Sequence, residues 1–198
     1  MSAIQRTATR RRPGGRTARV RASVLKAFLE ELADRGFASI SFEGVADRAG
    51  VHKTTLYRRW PNTNALLREA ARELSANGSS SPDSGTFRDD LRMLARKAAA
   101  SLRSPLAEAM LRAVVAEANG DPELAEVARR YWGTRLDLAA DIVRRAVERA
   151  EVPLSTDPHL LIETLLGPIY LRALVMQEAV DEAYIERLVD ETVARATR

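Results

Sequence analysis

The tripeptide Ala49-Gly50-Val51 narrows the possible folds of this chain more than any other feature. It lies between two short helical patterns, and glycine is the residue that ends a helix in the left-handed conformation at least cost. Upstream, Ser41 can cap a helix through its hydroxyl, and Glu43 sits in the first turn, where the helix dipole favours an anion. Downstream, a second helix is expected to begin near His52 or Lys53. Leu56 and Trp60, four residues apart, share one face with support from Val45 and Val51, whereas Thr54 and Arg58 fall about 200° away with Lys53 and Tyr57 beside them. Pro61 breaks that helix, and Asn62 can cap the next, leaving free N–H groups that suit a phosphate. Residues 41–67 therefore read as two short helices around a three-residue turn and the start of a third. One face of the middle helix is core, and the other is polar, basic and aromatic, as a helix laid in a DNA groove requires.

The charge distribution agrees with that reading. Residues 1–75 hold 15 Lys+Arg against 7 Asp+Glu, whereas residues 76–198 hold 16 against 20. No acid precedes Glu30, and Arg6, Arg10, Arg11, Arg12, Arg16, Arg19 and Arg21 crowd around Pro13-Gly14-Gly15. An arm without apolar spacing cannot bury a core, so residues 1–18 are expected to be disordered when free and to lie along phosphates or in a minor groove when DNA is bound. The missing apolar run after the arginines excludes a secretory signal or membrane anchor. With no cysteine in 198 residues, disulfides and thiol chemistry are excluded, and a reducing cytoplasm fits.

These residues resemble the DNA-binding domain of the TetR family of bacterial repressors, whose helix-turn-helix commonly reads T-x-x-x-I-A-x-x-A-G-V-S-x-x-T-L-Y-x-Y-F-x-S-K-x-x-L. The matching string here is Val45-Ala46, Ala49-Gly50-Val51, Thr55-Leu56-Tyr57, Trp60 in the aromatic slot, then Leu66, with a preceding helix ending in Asp34-Arg35-Gly36-Phe37. The resemblance covers roughly residues 19 to 75. By position it implies groove and phosphate contacts at Lys53, Thr54, Thr55, Tyr57, Arg58 and Arg59. Ser41 and Thr63 add hydroxyls at helix starts, and Arg10, Arg11 and Arg12 belong to the arm. Two positions depart from the pattern: the usual Ser after Gly-Val is His52, and the usual Lys at the start of the fourth helix is Thr63. A hydroxyl at a helix N-terminus still binds phosphate without a charge.

The remainder reads as helices throughout, giving an all-α chain of about nine. The first runs from Thr17 or Arg19 to Arg35, with Val20, Val24, Ala27, Phe28 and Leu32 at helical spacing and Gly36 as terminator. The fourth runs from Asn62 to about Ser75 and joins the two halves. Residues 77–85, rich in Ser, Gly and Pro, read as a flexible connection. Each later boundary is a cap, often followed by proline: Thr86 to Arg103, Pro105 to Asn119 behind Ser104, Pro122 to about Arg149 behind Asp121, Pro158 to Gln177 behind Asp157, and Asp181 to Ala196. The expected division is an arm at 1–18, a DNA-binding domain at 19–75, and an effector-binding and dimerisation domain at 76–198.

The eighth helix has no continuous polar face; its charges, Glu163 and Arg172, lie nine residues apart and so on opposite sides, and Gly167-Pro168 should kink it. It must be covered from two directions. The second cover is expected to be the same helix of another subunit, through Leu171, Leu174 and Val175, with Tyr184, Ile185 and Leu188 of the ninth helix. A homodimer would present two recognition helices to half-sites about 34 Å apart or a multiple of that. Because the resemblance implies a cavity for a small effector, Met93, Met110, Tyr131, Trp132, Tyr170 and Met176 are the candidate lining, and they favour an apolar or aromatic molecule without strong charge.

Catalysis is not expected: His52 and His159 are the sole histidines, and neither a Gly-rich phosphate loop nor metal-ligand spacing occurs, so no cofactor is implied. The rival to a repressor of a palindromic operator is a non-specific architectural DNA-binding protein, which the arginine arm alone would also suit.

Overall fold

Caps and glycines set the helix boundaries. The structure, a computed structural model, describes residues 15–75 and 80–197. Among them lie nine α-helices and no strand: α1 (Gly15–Arg35), α2 (Phe42–Ala49), α3 (Lys53–Arg59), α4 (Thr63–Ser75), α5 (Phe87–Leu102), α6 (Pro105–Glu117), α7 (Pro122–Glu148), α8 (Pro158–Tyr170) and α9 (Glu182–Ala196). A 3₁₀ turn at Phe37–Ser39 and a π turn at Leu171–Val175 complete the set. Ser41, Thr86, Ser104, Asp121, Asp157 and Asp181 each accept a backbone N–H of the helix they precede.

The α2 terminus is decided by Gly50, whose φ of 65 and ψ of 35 are left-handed. The Val51 N–H reaches the Ala46 carbonyl at 3.0 Å and the Gly50 N–H reaches that of Asp47 at 3.2 Å, the paired bonds of a Schellman closure. The same closure ends α7, where the Glu151 and Ala150 N–H groups reach Ala146 and Val147 at 2.9 Å each, but there the left-handed residue is Ala150 at φ 59.

Three boundaries differ from expectation. α1 starts at Gly15, so residues 15–18 belong to a helix and not to a disordered arm. Once Val24, Phe28 and Leu32 are buried, adding a turn upstream costs no new nucleation, and the Arg19 Nε donates to the Gly15 carbonyl at 3.0 Å. Arg10, Arg11 and Arg12 lie outside the described residues. The eighth helix stops being α-helical at Tyr170, because Pro168 has no N–H for the Thr164 carbonyl and the hydrogen-bond rings widen after it. The Met176 N–H donates to Leu171 at 3.1 Å, and Gln177, at φ 56, turns the chain away. The connection expected to be flexible is, over Ser80–Gly85, anchored. Arg145 donates to the Ser81 hydroxyl at 3.1 Å and to the Pro82 carbonyl, and the Ser84 N–H donates to Asp90 at 2.6 Å.

Two apolar cores result. The first joins Val24, Phe28 and Leu32 of α1, Val45 of α2, Leu56 of α3, Trp60, and Leu66 and Leu67 of α4, and it continues into Met110 and Ala113 of α6 and Leu124 of α7. The second joins α5, α7, α8 and α9 through Leu91, Ile142, Val143, Ile162, Leu165 and Val189. Ile185, expected at a subunit interface, is 3 % exposed and belongs to this second core, because it sits one turn from Val189 on the inner face of α9. Arg88, Arg92 and Arg96 of α5 meet Asp190, Glu186 and Glu182 of α9, which fixes the two helices antiparallel and in register, though exposed pairs add little stability.

The two Schellman closures generate opposite expectations. Gly50→Ala places a Cβ at positive φ and should lower stability by about 1 kcal/mol, with no clash contributing, since no atom lies within 4 Å of the added carbon. Ala150→Gly should raise stability by about 0.5–1 kcal/mol for the same reason. Thermal or denaturant unfolding of the two variants against the wild type checks the signs.

Candidate nucleic-acid interface and cavity

The helix-turn-helix is built around Trp60. Its indole, 3 % exposed, ends α3 and donates through Nε1 to Glu69 of α4. Glu69 also receives Arg21 of α1, and Arg59 approaches it at 3.7 Å while lying over the Trp60 ring at 5.3 Å. One carboxylate thereby ties α1, α3 and α4 together. Burial alone would raise the Glu69 carboxyl, but the Trp60 N–H, Arg21 and Arg59 outweigh it and hold the group below its ordinary value of 4.5. On the opposite side, Arg48 of α2 reaches Glu31 at 2.8 Å and Asp34 at 2.7 Å on α1.

With Leu56 buried and Trp60 clamped, the outer face of α3 is settled. Lys53, Thr54, Tyr57, Arg58 and Arg59 are exposed on it, and Thr55 is half-buried. His52, which departs from the familiar pattern, serves as the cap of α3: its Nδ1 accepts the Thr54 N–H at 3.4 Å and lies 2.9 Å from the Thr54 hydroxyl. Tyr57 packs edge-on against Phe42 at 4.9 Å, so its ring is fixed while 55 % of it stays accessible. Lys53 lies 3.7 Å from Glu43, and the Tyr57 hydroxyl 3.5 Å from it, so one acid checks the mobility of two candidate contacts in the free protein. Arg58 has no carboxylate within ion-pairing distance among the described residues. Ser41 is exposed but already receives the Gly44 N–H at 3.1 Å, and Thr63 is half-buried in the first turn of α4 behind the Asn62 cap.

Beneath α4 lies a cavity of about 410 Å³. Ala71, Leu74 and Ser75 of α4 form one wall, Ser80, Ser81 and Pro82 another, and α5, α6, α7 and α8 the rest. Of the six residues proposed from sequence, Met110, Tyr131, Trp132 and Tyr170 line it. Trp132 stands edge-to-face between Tyr131 and Tyr170, with both ring centroids at 5.2 Å. Burial, then the neighbouring Tyr131, pushes the Tyr170 phenol up to about 12 against the opposing pull of Arg135, so it is a neutral donor at any physiological pH. Met93 and Met176 do not line it. Met93 is half-exposed on the outside of α5, two residues and so about 200° from both Leu91 and Ala95 of the buried face, and Met176 projects to solvent after the π turn.

The two cationic lining residues, Lys97 and Arg135, escaped the sequence reading, because a lysine or arginine in a helix usually marks the solvated face. The available signal was that Arg135 follows Tyr131 by four residues and so shares its face. Equally unforeseen was the joint between α4 and the α6–α7 corner. Arg68 pairs with Asp121, which simultaneously caps α7 by accepting the Leu124 N–H at 3.0 Å, and Asn64 donates to Glu117 at 3.1 Å. Burial would raise Asp121, yet the Leu124 N–H and Arg68 hold it low.

The proposed interface residues divide. Leu171 and Val175 are 53 % and 71 % exposed, and Leu160 and Gly167 extend the same outer side of α8. Leu174 and Leu188 are half-buried against the second core, and Tyr184, also half-buried, lies under Arg172 and Arg187 at 4.6 and 5.5 Å. No helix among the described residues is long and apolar enough to cross a membrane.

Comparison with known proteins gives matches along nearly the whole described chain. The family described as "Bacterial regulatory proteins, tetR family" matches residues 24–70, and that described as "Tetracyclin repressor-like, C-terminal domain" matches residues 81–192. The HTH-type transcriptional regulator AqdR of Rhodococcus erythropolis is 33% identical over 79% of this chain and 75% of its own length. The DNA-binding transcriptional repressor TetR of Mycobacteroides abscessus is 32% identical over 87% of this chain and 90% of its own. A crystal structure of the TetR family transcription regulator SCO0332 superimposes with a TM-score of 0.63 at 35% identity, covering 88% of this chain and 97% of that one.

The Glu69 clamp predicts a pH dependence. Its folded value is depressed, so the stability it contributes is fully present above about pH 4.5 and is lost as pH falls through the lower folded value. Glu69→Gln should cost roughly 1–3 kcal/mol at neutral pH and flatten the acid limb of stability, read from denaturant midpoints between neutral pH and about pH 3. A variant with the wild-type acid limb would remove Glu69 from that role.

Proposed function

The chain belongs to the TetR family of bacterial transcriptional regulators, and we propose that it is a repressor that holds a palindromic operator until a small molecule fills the cavity. The observation that carries this reading is the double membership of α4. Its first half, through Ala65, Leu66 and Leu67, is packed under the recognition helix, and its second half, through Ala71, Leu74 and Ser75, is a wall of the cavity. A molecule that needs a wider cavity displaces α4, and α4 carries Glu69 and hence Trp60 at the end of the recognition helix.

In the proposed division of labour, residues 19–75 read DNA and residues 76–198 bind effector and partner subunit. Lys53, Thr54 and Tyr57 meet base edges. Thr55, Arg58, Arg59, Ser41 and Thr63 hold phosphates, joined by Arg10, Arg11 and Arg12 of the arm. The second subunit packs on the outer side of α8 at Leu171 and Val175, where exposed apolar side chains lie in line and invite a like surface. The effector has an apolar or aromatic body, matching the Tyr131, Trp132 and Tyr170 wall. Switching from nearly all bound to nearly all released requires about 5.5 kcal/mol of preference for one separation of the recognition helices, so only a ligand that discriminates between the two states induces.

Sequencing genomic fragments retained by the purified protein tests the core of the proposal. A palindrome preferred over random duplex by about three decades or more supports it, and retention without preference supports the architectural alternative. At single residues, Thr54→Ala or Lys53→Ala should relax choice at one base position by about 1–3 kcal/mol, whereas Arg58→Ala should weaken every duplex alike and reduce the salt slope by about 1. Binding isotherms at several salt concentrations separate the two behaviours. Leu171→Glu should convert a dimer to monomers in sedimentation, and a wild type already monomeric would refute that interface.

A further inference from the structure

Resting on the reading of the cavity as an effector site, we infer that its ligand is an anion: an alkyl or aromatic body carrying a carboxylate, which pairs with the guanidinium of Arg135. Among the described residues the cavity wall bears two cations, Lys97 and Arg135, and no acid. Residues 76–79, between two of the lining segments, contain neither Asp nor Glu.

The state of Arg135 is the sharper observation. Four buried side-chain atoms lack a hydrogen-bond partner among the described residues: Asp90 Oδ2, Arg135 Nε, Arg145 Nε and Arg149 Nη2. Three of these face an opposite charge nonetheless, since Arg149 Nη2 lies 3.8 Å from Asp90 Oδ2 and Arg145 Nε lies 3.6 Å from Asp83. Among the described residues Arg135 has no carboxylate and no hydrogen bond; its guanidinium lies over the Tyr131 ring at 4.7 Å and close enough to Tyr170 to act on its phenol. Stacking satisfies the face of the guanidinium and leaves its N–H edge unspent. Arg135 as a whole is half-buried, but its Nε is shielded from solvent; a shielded N–H without an acceptor is costly, and a planar carboxylate answers that edge with two parallel hydrogen bonds.

The surroundings specify the rest of the molecule. Leu94, Leu111, Val114, Leu136 and Leu166 line the remainder of the cavity and offer nothing to a second charge. The Tyr170 hydroxyl makes no hydrogen bond among the described residues, and its neutral phenol can donate to the same carboxylate or to a polar atom on the body. Lys97, whose Nζ is 3.5 Å from the Ser80 carbonyl, adds positive potential from the α5 side. The expectation of an apolar or aromatic effector without strong charge is thus narrowed to an apolar body with one acidic end.

Calorimetric titration of the full-length protein with decanoate and 2-naphthoate, each against its uncharged amide, tests the inference at neutral pH. The carboxylates should bind about tenfold or more tighter than the amides, and Arg135→Gln should bring each pair within about twofold, through loss of carboxylate affinity, without lowering the unfolding midpoint. Arg135→Lys should keep part of the preference, as a charge without the planar edge. A carboxylate preference that survives Arg135→Gln overturns the assignment. Amides that bind the wild type as well as the acids overturn the anion while leaving an apolar effector cavity in place. Binding of none of the four probes overturns both.

Discussion

The hydrogen bond from the Trp60 indole to Glu69 is the interaction on which the DNA-reading unit depends. α3 has seven residues, too few to persist on its own, so its orientation is imposed from both ends. Its start is held by the His52 cap and by the Schellman closure at Gly50, and its end by an aromatic ring that is both buried and hydrogen-bonded. Because Glu69 accepts Arg21 as well, the recognition helix, the long first helix and α4 share one anchor, and none can tilt without disturbing the others. The exposed basic face of α3 is a consequence of this anchoring: burying Leu56 and Trp60 leaves Lys53, Thr54, Tyr57 and Arg58 no alternative but the outside.

The same economy extends to α4, whose charged side chains all look for partners off the helix. Arg68 spans to Asp121 at the head of α7, and Asn64 to Glu117 at the end of α6. The α6–α7 corner also places Met110, Ala113 and Leu124 in the core of the DNA-reading helices. The halves therefore meet through a shared apolar core crossed by an ion pair, a contact that can transmit a displacement. A loose linker could not. The anchoring of Ser80–Gly85 by Arg145 points the same way, since it fixes one wall of the cavity.

The outer side of α8 and the cavity show how one helix serves three purposes. Leu161, Ile162, Leu165 and Ile169 face the second apolar core, Leu166 and Tyr170 reach the cavity, and Leu171 and Val175 remain uncovered. A helix apolar on every side has room for all three, and the Pro168 break lets its last turns open after the cavity is closed.

What the amino-acid order determined alone was local. Serine, threonine and aspartate caps, prolines in first turns and glycines at helix ends located most helix boundaries within a residue or two, because those signals act over one turn and need no distant partner. The face of α3 that bears the candidate contacts was equally legible, since helical periodicity sorts core from surface. What only the tertiary structure decided were relations between segments far apart in the chain. It sent Ile185 to the second apolar core and Met93 and Met176 to solvent, continued α1 back to Gly15, firmed the connection after Ser80, and turned Arg135 inward with no acid among the described residues to meet it. Burial and pairing depend on which helices pack together, and periodicity names a buried face without naming what lies across from it.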